Sequence, residues 1–467
     1  MVALKRIMVF AIIVVLIVTL ITTAFITINV FLGEKVQEFY VGITYCGNIT
    51  AEAKVLIDKV KGYTNLFVLQ SGTLQYNESA INEIGDYAVN AGMHYLVYFG
   101  TDKPWTMKRW VDSYDGHWDS SFLGIYFGDE PGGKMLDAQR YFTDKNTHIS
   151  IVKFADGNVS TSLDDNTSVN YAPDGTIDLT EANIPTLSYT VTTYYVNGTI
   201  MVATHRLQGN SATTDITTNE VKDNSTLTYT YEELWNARPL QSYDETAQIF
   251  VDQAASSLKS YGSSNVTYFT SDYALYWFDY LAGYDTLLAQ LGWNHSTTQD
   301  IGLIRGAANL QGKSWGTIIT WKYTEAPYYL ASGEEIYDQM RLSYECGAKY
   351  VVVFNYAEDV NGTGILQDEH FQALERFWRE VVKNPFVSHG SVNVEAAFVL
   401  PKNYGGGLRK PQDTVWGLWQ PAEEYQQIWS NLQAALAKYG EKLDIVYNDS
   451  TYPLNGYAKI VYWNETV

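Results

Sequence analysis

FLGIYFGDEPGG, residues Phe122 to Gly133, runs from an apolar segment directly into two adjacent acids, a proline and a glycine pair. A short continuous apolar run closed by a turn reads as a strand buried on both faces, as in a parallel sheet. The segment after it, KMLDAQRYF, has a helical pattern. The same strand-then-helix unit precedes it three times: FYVGITY with AEAKVLIDKVKGY, NLFVLQSG with ESAINEIGDYAVNAG, and HYLVYFG with a Trp-rich segment. Strands separated by helix-length segments predict a parallel sheet with crossover helices.

Downstream the rhythm breaks. From about 147 to 230 the chain is rich in Thr, Ser, Asn and Tyr, with alternation in TLSYTVTTYYVNGTIMVATH and turn pairs at Asp156-Gly157 and Asn197-Gly198. That pattern predicts a β-rich insertion built from hairpins. The βα rhythm then resumes: strand NVTYFTSD, helix YALYWFDYLAGYDTLLAQLG, strand DIGLIRGAA, strand WGTIITWKY, helix GEEIYDQMRLSYECGA and strand KYVVVFNYAED. The strand runs total eight, which predicts an α/β fold: a (β/α)₈ TIM barrel over 36–384, with the insertion after strand four. An open doubly wound sheet is the competing architecture, and no G-x-G-x-x-G or P-loop follows the first strand to favour it. Asn384-Pro385 ends the last barrel helix. Beyond it, 391–467 read as a small C-terminal α/β module with strands VEAAFVLP, LDIVYND and AKIVYWN around the helix EEYQQIWSNLQAALAKYG.

Toward the N-terminus, no charged residue occurs between Ile7 and Gly33. That length suffices to cross roughly 30 Å of hydrocarbon, and a cleaved signal peptide is the rival. Residues 1–34 are therefore expected to be a cytoplasmic stub and transmembrane signal anchor. Lys5 and Arg6 before the run place the N-terminus inside and the soluble part outside the cell membrane. Asn-x-Ser/Thr acceptors at Asn48, Asn77, Asn158, Asn166, Asn197, Asn224, Asn265, Asn294, Asn361, Asn448 and Asn464 suit an extracellular glycoprotein. With only 2 cysteines, a large core rather than a disulfide framework must hold the fold. Cys46 and Cys346 are expected at opposite ends of the barrel and unpaired. A formal net charge of -21 argues against nucleic acid as a partner, since phosphate binding needs clustered Lys and Arg.

In a barrel of this type, functional groups sit just past the C-terminal ends of the strands. Asp129 and Glu130 follow strand four, where desolvation and mutual repulsion raise one carboxyl's pKa and equip it as a proton donor. The plainer reading makes Asp129 a helix cap. Candidates for a second carboxyl are Asp272 at the end of YFTSD, Glu358 past strand eight, and Glu325. Asp272 is preferred for its place on a strand end, though it also reads as a cap. Arg305, in IRGAA, either holds a carboxylate or forms a structural ion pair. Trp321, Tyr323 and Tyr273, with Trp277, Trp105 and Trp118, are candidate sugar-stacking platforms or core residues, and Asn355 and Gln70 are further ligand-binding candidates. With H-E-x-x-H and G-x-S-x-G absent and the 7 histidines scattered, no metal or other cofactor is called for.

Acid, then Glu, then Pro at the fourth strand of an eight-stranded barrel resembles the Asn-Glu-Pro of clan A glycoside hydrolases, whose Glu is the general acid/base. The resemblance implies a cell-surface glycoside hydrolase acting on polysaccharide or glycan, with Glu130 in that role. Two departures stand: Asp129 replaces Asn, and strand seven ends in TWKY where the clan places a nucleophilic Glu. The C-terminal module resembles a shortened form of the amidotransferase-like domain of some barrel β-galactosidases. A non-catalytic glycosylated envelope protein that keeps the barrel for carbohydrate binding or assembly is the alternative.

Overall fold

The computed structural model describes residues 38–138, 148–154, 159–162, 186–195, 200–208, 211–215, 242–261, 266–322, 330–356 and 364–466. The expected anchor at 1–34 lies outside them. Among the described residues no helix is long and apolar enough to cross a membrane.

Eight parallel strands close into a barrel. In chain order they are β1 (Tyr40–Tyr45), β2 (Leu66–Leu69), β3 (His94–Phe99), β4 (Phe122–Phe127), β10 (Tyr268–Asp272), β11 (Thr286–Leu291), β12 (Ser314–Ile319) and β13 (Tyr350–Val353). Pairing of β1 with β13, Tyr40 opposite Tyr350, seals the sheet and excludes the doubly wound alternative. Because side chains alternate along a strand, each contributes to two cores. Inward residues Leu66, Val68, Leu96, Tyr126, Phe269, Leu288, Ile318, Tyr350 and Val352 fill the barrel. Outward neighbours such as Val41, Phe67, Val97, Ile125, Leu287 and Val351 pack under the helices. Burial on both faces explains why these strands read as unbroken apolar runs.

The helices are α1 (Thr50–Val60), α2 (Glu78–Asn90), α3 (Pro104–Ser113), α4 (Pro131–Ala138), α5 (Tyr243–Tyr261), α6 (Tyr276–Leu281), α7 (Thr297–Gln311), α8 (Gly333–Glu345) and α9 (Asp368–Phe377). Side chains start several of them: Asn77 accepts from Ala80 N at α2, Ser296 from Gln299 N at α7, and Ser332 with Glu335 forms a reciprocal capping box at α8. Between α4 and α5 lies a five-stranded sheet in the order β6-β5-β7-β8-β9. Its strands, antiparallel throughout, are β5 (His148–Phe154), β6 (Val159–Ser162), β7 (Thr186–Tyr195), β8 (Ile200–Gln208) and β9 (Ser211–Asp215), inside the span expected for the insertion.

One strand differs from expectation. The sixth barrel strand is TLLAQL, Thr286–Leu291, which the sequence reading placed inside a long helix, while DIGLIRGAA lies within helix α7. Arg305 therefore sits in a helix on the jacket and not at a strand end. It pairs with Asp444 of the C-terminal unit at 2.7 Å, with the two side chains 3% and 0% exposed. That unit consists of β14 (Ala396–Leu400), α10 (Glu423–Tyr439), β15 (Leu443–Tyr447) and β16 (Lys459–Tyr462), with the three strands parallel in the order β15-β14-β16. Helix α7 lies directly on β15. A Cβ at Gly306 would sit 2.9 Å from Ile445 O, and one at Gly302 2.8 Å from Leu443 O, so only glycine permits this approach. The unit shares one continuous hydrophobic core with the outside of the barrel.

Candidate active site at the barrel mouth

Past the end of β4 the chain turns through Gly128, Asp129 and Glu130 into α4. Gly128 N donates to Phe99 O at 2.8 Å and Glu130 N to Ser271 O at 2.9 Å, so the turn is tied to β3 on one side and β10 on the other. Glu130 has φ 56, the left-handed region that a non-glycine residue enters only when its surroundings hold it there. That conformation brings the two acids onto one wall. Tyr126, whose ring is fully buried, donates to Asp129 Oδ1, and Ser271 Oγ donates to the same oxygen at 2.9 Å. Gln290 Nε2 donates to Ser271 Oγ and to Glu130 Oε1, both at 2.9 Å. Trp293 Nε1 in turn donates to Gln290 Oε1 at 2.9 Å and fixes which end of the amide faces Glu130. Trp293 and Asn294 are also left-handed, at φ 51 and 59, so a second strained turn holds the indole over the amide.

These contacts set the electrostatics. Burial, reinforced by the neighbouring Asp129 charge, pushes the Glu130 carboxyl up to about 7, against the opposing pull of Gln290 and Lys134. Burial also raises Asp129, with the Lys134 charge and the Tyr126 and Ser271 hydroxyls pulling it back. Lys134 Nζ donates to Asp129 O at 2.7 Å and lies 3.8 Å from Glu130 Oε2. Glu130 keeps 21% of its side chain exposed, enough to meet a ligand. A largely desolvated carboxyl poised near neutrality can give up or accept a proton at neutral pH.

Asp272 is different. It is fully buried, and its oxygens accept from Gly132 N at 2.5 Å, Gly133 N at 2.8 Å, Tyr273 N at 2.7 Å and Ala274 N at 3.2 Å. It caps α4 and its own following loop, the cap being one of the two readings that the sequence leaves open for it. Tyr273 packs flat beneath α4, where a Cβ on Gly133 would meet its ring at 2.1 Å, and donates to Asp137 Oδ2 at 2.6 Å. Arg409 of the C-terminal unit joins Asp137 at 2.8 Å and so braces α4 from outside.

Of the other candidates, Gln70 reaches the mouth, its Nε2 3.4 Å from Tyr126 OH. Asn355 is 1% exposed and bonds Thr44 Oγ1 through its N and Leu366 N through Oδ1, which makes it a strut between β1 and the β13 loop rather than a ligand contact. Trp321 lies in an aromatic arc at the ends of β11 to β13, with ring centroids 5.7 Å from Trp293, 5.8 Å from Phe354 and 5.3 Å from Tyr356. Trp277 packs against Tyr447 and Tyr452, and Trp118 is buried in the jacket; both are core. Trp105 is exposed at the start of α3. Tyr323, Glu325 and Glu358 lie outside the described residues. Cys46 and Cys346 are free, as expected. Cys46 stands beside Asp129, and burial pushes its thiol up to about 12, so it is protonated and unreactive at neutral pH.

Sequence reasoning missed Tyr126, Ser271, Gln290, Trp293 and Lys134. Period-two reading of β4 and β10 marks Tyr126 and Ser271 as inward residues, but Gln290 was hidden by the misassigned sixth strand. Among the described residues no group of three or more His, Cys, Asp or Glu side chains is arranged to hold a metal ion. No protein-family model matches the chain, and no curated protein matches it at a significant level.

Proposed function

We propose that the protein is a glycoside hydrolase acting on polysaccharide or glycan, with Glu130 as the proton donor to the leaving oxygen. The observation that carries this reading is the state of Glu130: a partly exposed carboxyl, held in a strained backbone by Gln290 and Ser271, raised to about 7, at the C-terminal mouth of a (β/α)₈ barrel. The aromatic arc of Trp293, Trp321, Phe354 and Tyr356 supports a sugar ligand, because flat rings stack on the apolar faces of pyranosides. The proposed setting is the outer face of a membrane, with the chain tethered by residues 1–34. Asn48, Asn77, Asn294, Asn448 and Asn464 are all exposed, as glycan attachment requires, whereas Asn158, Asn166, Asn197, Asn224, Asn265 and Asn361 lie outside the described residues. The test is Glu130→Gln assayed against a panel of glycans. Turnover falls by about 10² to 10⁴-fold if Glu130 is the general acid, and undiminished turnover removes the assignment.

A second reading keeps the site for binding alone. The end of β12 favours it, since Thr320 and Trp321 occupy the place where the clan that the sequence resembles carries its nucleophile. Calorimetric titration with the same glycans separates the two: binding without release of product by the native chain supports a non-catalytic receptor.

A further inference from the structure

The hydrogen bonds that link Trp293 to the two acids run in one direction, and one group sets it. An indole N–H can only donate. Trp293 Nε1 lies 2.9 Å from Gln290 Oε1, so that end of the amide must be its carbonyl and the other end its NH2 group. An amide NH2 also only donates. One of its hydrogens goes to Glu130 Oε1 and the other to Ser271 Oγ, both at 2.9 Å. Ser271 Oγ, having accepted there, has its own hydrogen left for Asp129 Oδ1 at 2.9 Å. From Trp293 inward, each member of the chain donates toward the acids.

This direction decides where the Glu130 proton sits. The carbonyl oxygen of a protonated carboxyl is its better acceptor, so an N–H on Oε1 puts the proton on Oε2. Among the described residues Oε2 accepts no hydrogen bond, and Lys134 Nζ stands 3.8 Å from it. A half-turn of the Gln290 amide would set its carbonyl against Glu130 Oε1. Two acceptors repel unless a proton lies between them, and a proton held there is bound to Gln290 instead of being offered to a ligand. The indole opposes that rotation, because the NH2 group would then face its N–H. Left-handed backbone at Trp293 and Asn294 and the Trp321 ring at 5.7 Å hold the indole in place.

Resting on the proposed function above, in which Glu130 is the proton donor, we infer that Trp293 is a positioning residue: its indole N–H, acting through Gln290, keeps the Glu130 proton on Oε2, where the leaving oxygen can take it. As the glycosidic C–O bond breaks, the departing oxygen keeps the electron pair and takes the Oε2 proton. The Gln290 N–H then holds the carboxylate left on Glu130. In the net hydrolysis water supplies the hydroxyl to the anomeric carbon and returns a proton to Glu130. The other titratable groups facing Glu130 among the described residues are Asp129 and Lys134 on its own turn and Asp272 and Tyr273 at the end of β10, while Tyr126 reaches Asp129. A change at position 293 removes none of these, so a shift in the Glu130 titration reports on the amide.

Two replacements in the full chain remove the N–H. One is Trp293→Phe; the other puts benzothienylalanine in place of Trp293, where sulfur stands for the N–H and the ring shape is kept. Each is expected to raise the midpoint of the Glu130 carboxyl titration, followed by NMR, by about one pH unit, because the carboxylate loses a donor and the acid gains an acceptor. On glycosides that the native chain hydrolyses, the benzothienyl chain keeps the native KM, kcat falls by roughly 10-fold, and the alkaline limb moves up with the NMR midpoint. Gln290→Met raises the midpoint too, and adding the benzothienyl replacement to it moves the midpoint no further, since the indole acts only through the amide. An unchanged midpoint, an unchanged kcat, or an equal further rise in the Gln290→Met background overturns the inference and leaves the proposed function standing. Absence of Glu130-dependent hydrolysis from every glycoside tested overturns the proposed function instead, and the titration, which needs no substrate, still decides whether Trp293 orients the amide toward Glu130.

Discussion

At the scale of single residues, the mouth is a problem in proton placement. Glu130 is raised to about 7 by burial and by the Asp129 charge, and it is lowered by Gln290 and Lys134. As the acid form donates, turnover is present below that value and lost as pH rises through it. Each neighbour then moves the alkaline limb in a definite direction. Lys134→Met removes a cation that favours the carboxylate, so the limb shifts to higher pH. Asp129→Asn removes an anion that disfavours it, so the limb shifts to lower pH. The pH profile of kcat/KM measures both shifts, and titration of the Glu130 carboxyl by NMR gives the same answer without a substrate. If both variants move the limb the same way, Lys134 and Asp129 do not act on Glu130 through charge.

At the scale of elements, the barrel was legible because its strands are buried on both faces. FLGIYF and YVVV read as strands in any context. TLLAQL was not legible: its six residues are all buried, so the alternation that separates strand from helix is missing, and the preceding YWFDYL is equally apolar. DIGLIRGAA failed for the opposite reason. Its Gly302 and Gly306 look like strand punctuation, yet they are where helix α7 touches the backbone of β15. The same helix places Arg305 against Asp444, and Tyr457 OH donates to the second carboxylate oxygen at 2.9 Å. Removing one partner of a buried ion pair leaves the other charge stranded, at a cost of about 3 to 5 kcal/mol. Arg305→Met is therefore expected to lower the thermal unfolding temperature by several degrees, whereas Lys108→Met, whose partner Asp112 is exposed, costs less. Equal losses in calorimetry would show that the buried pair between α7 and the C-terminal unit is no stronger than a surface one. The site itself was half legible: Asp129 and Glu130 announce themselves beside Pro131, but the residues that tune them come from strands far off in sequence, where only the fold reveals the contact.

At the scale of the whole molecule, the distribution of carboxyls sets how stability varies with pH. Beneath the α4 turn lies a buried group made of Asp272 at the end of β10, Asp279 and Tyr276 on α6, and Asp300 on α7. Asp279 is fully buried with no donor to either oxygen, and Asp300 Oδ2 and the Tyr276 hydroxyl are buried and unpaired. Burial, then the charge of Asp272, raises Asp279 well above the usual carboxylate range, and burial alone does so for Asp300. Asp272 is pushed up to about 6 by burial despite its backbone donors. Below about pH 4 these groups are protonated in both states and cost nothing. Above it the unfolded chain releases protons that the folded chain retains, so each group removes about 1.4 kcal/mol of stability per pH unit until its folded pKa is reached. The net charge of -21 adds self-repulsion in the same direction as pH rises. Carboxylates lowered by partners, such as Asp413 beside Arg409, act oppositely but lose their contribution only in strong acid. Stability is therefore expected to peak in mild acid and to decline toward neutral pH. Asp279→Asn with Asp300→Asn, which mimic the protonated forms, should flatten that decline and raise the unfolding temperature at pH 7. Thermal unfolding followed at pH 4.5, 6 and 7.5 decides it: a native chain whose unfolding temperature climbs across that range, or a double variant with an unaltered slope, would mean that these buried acids do not govern the acid preference of the fold.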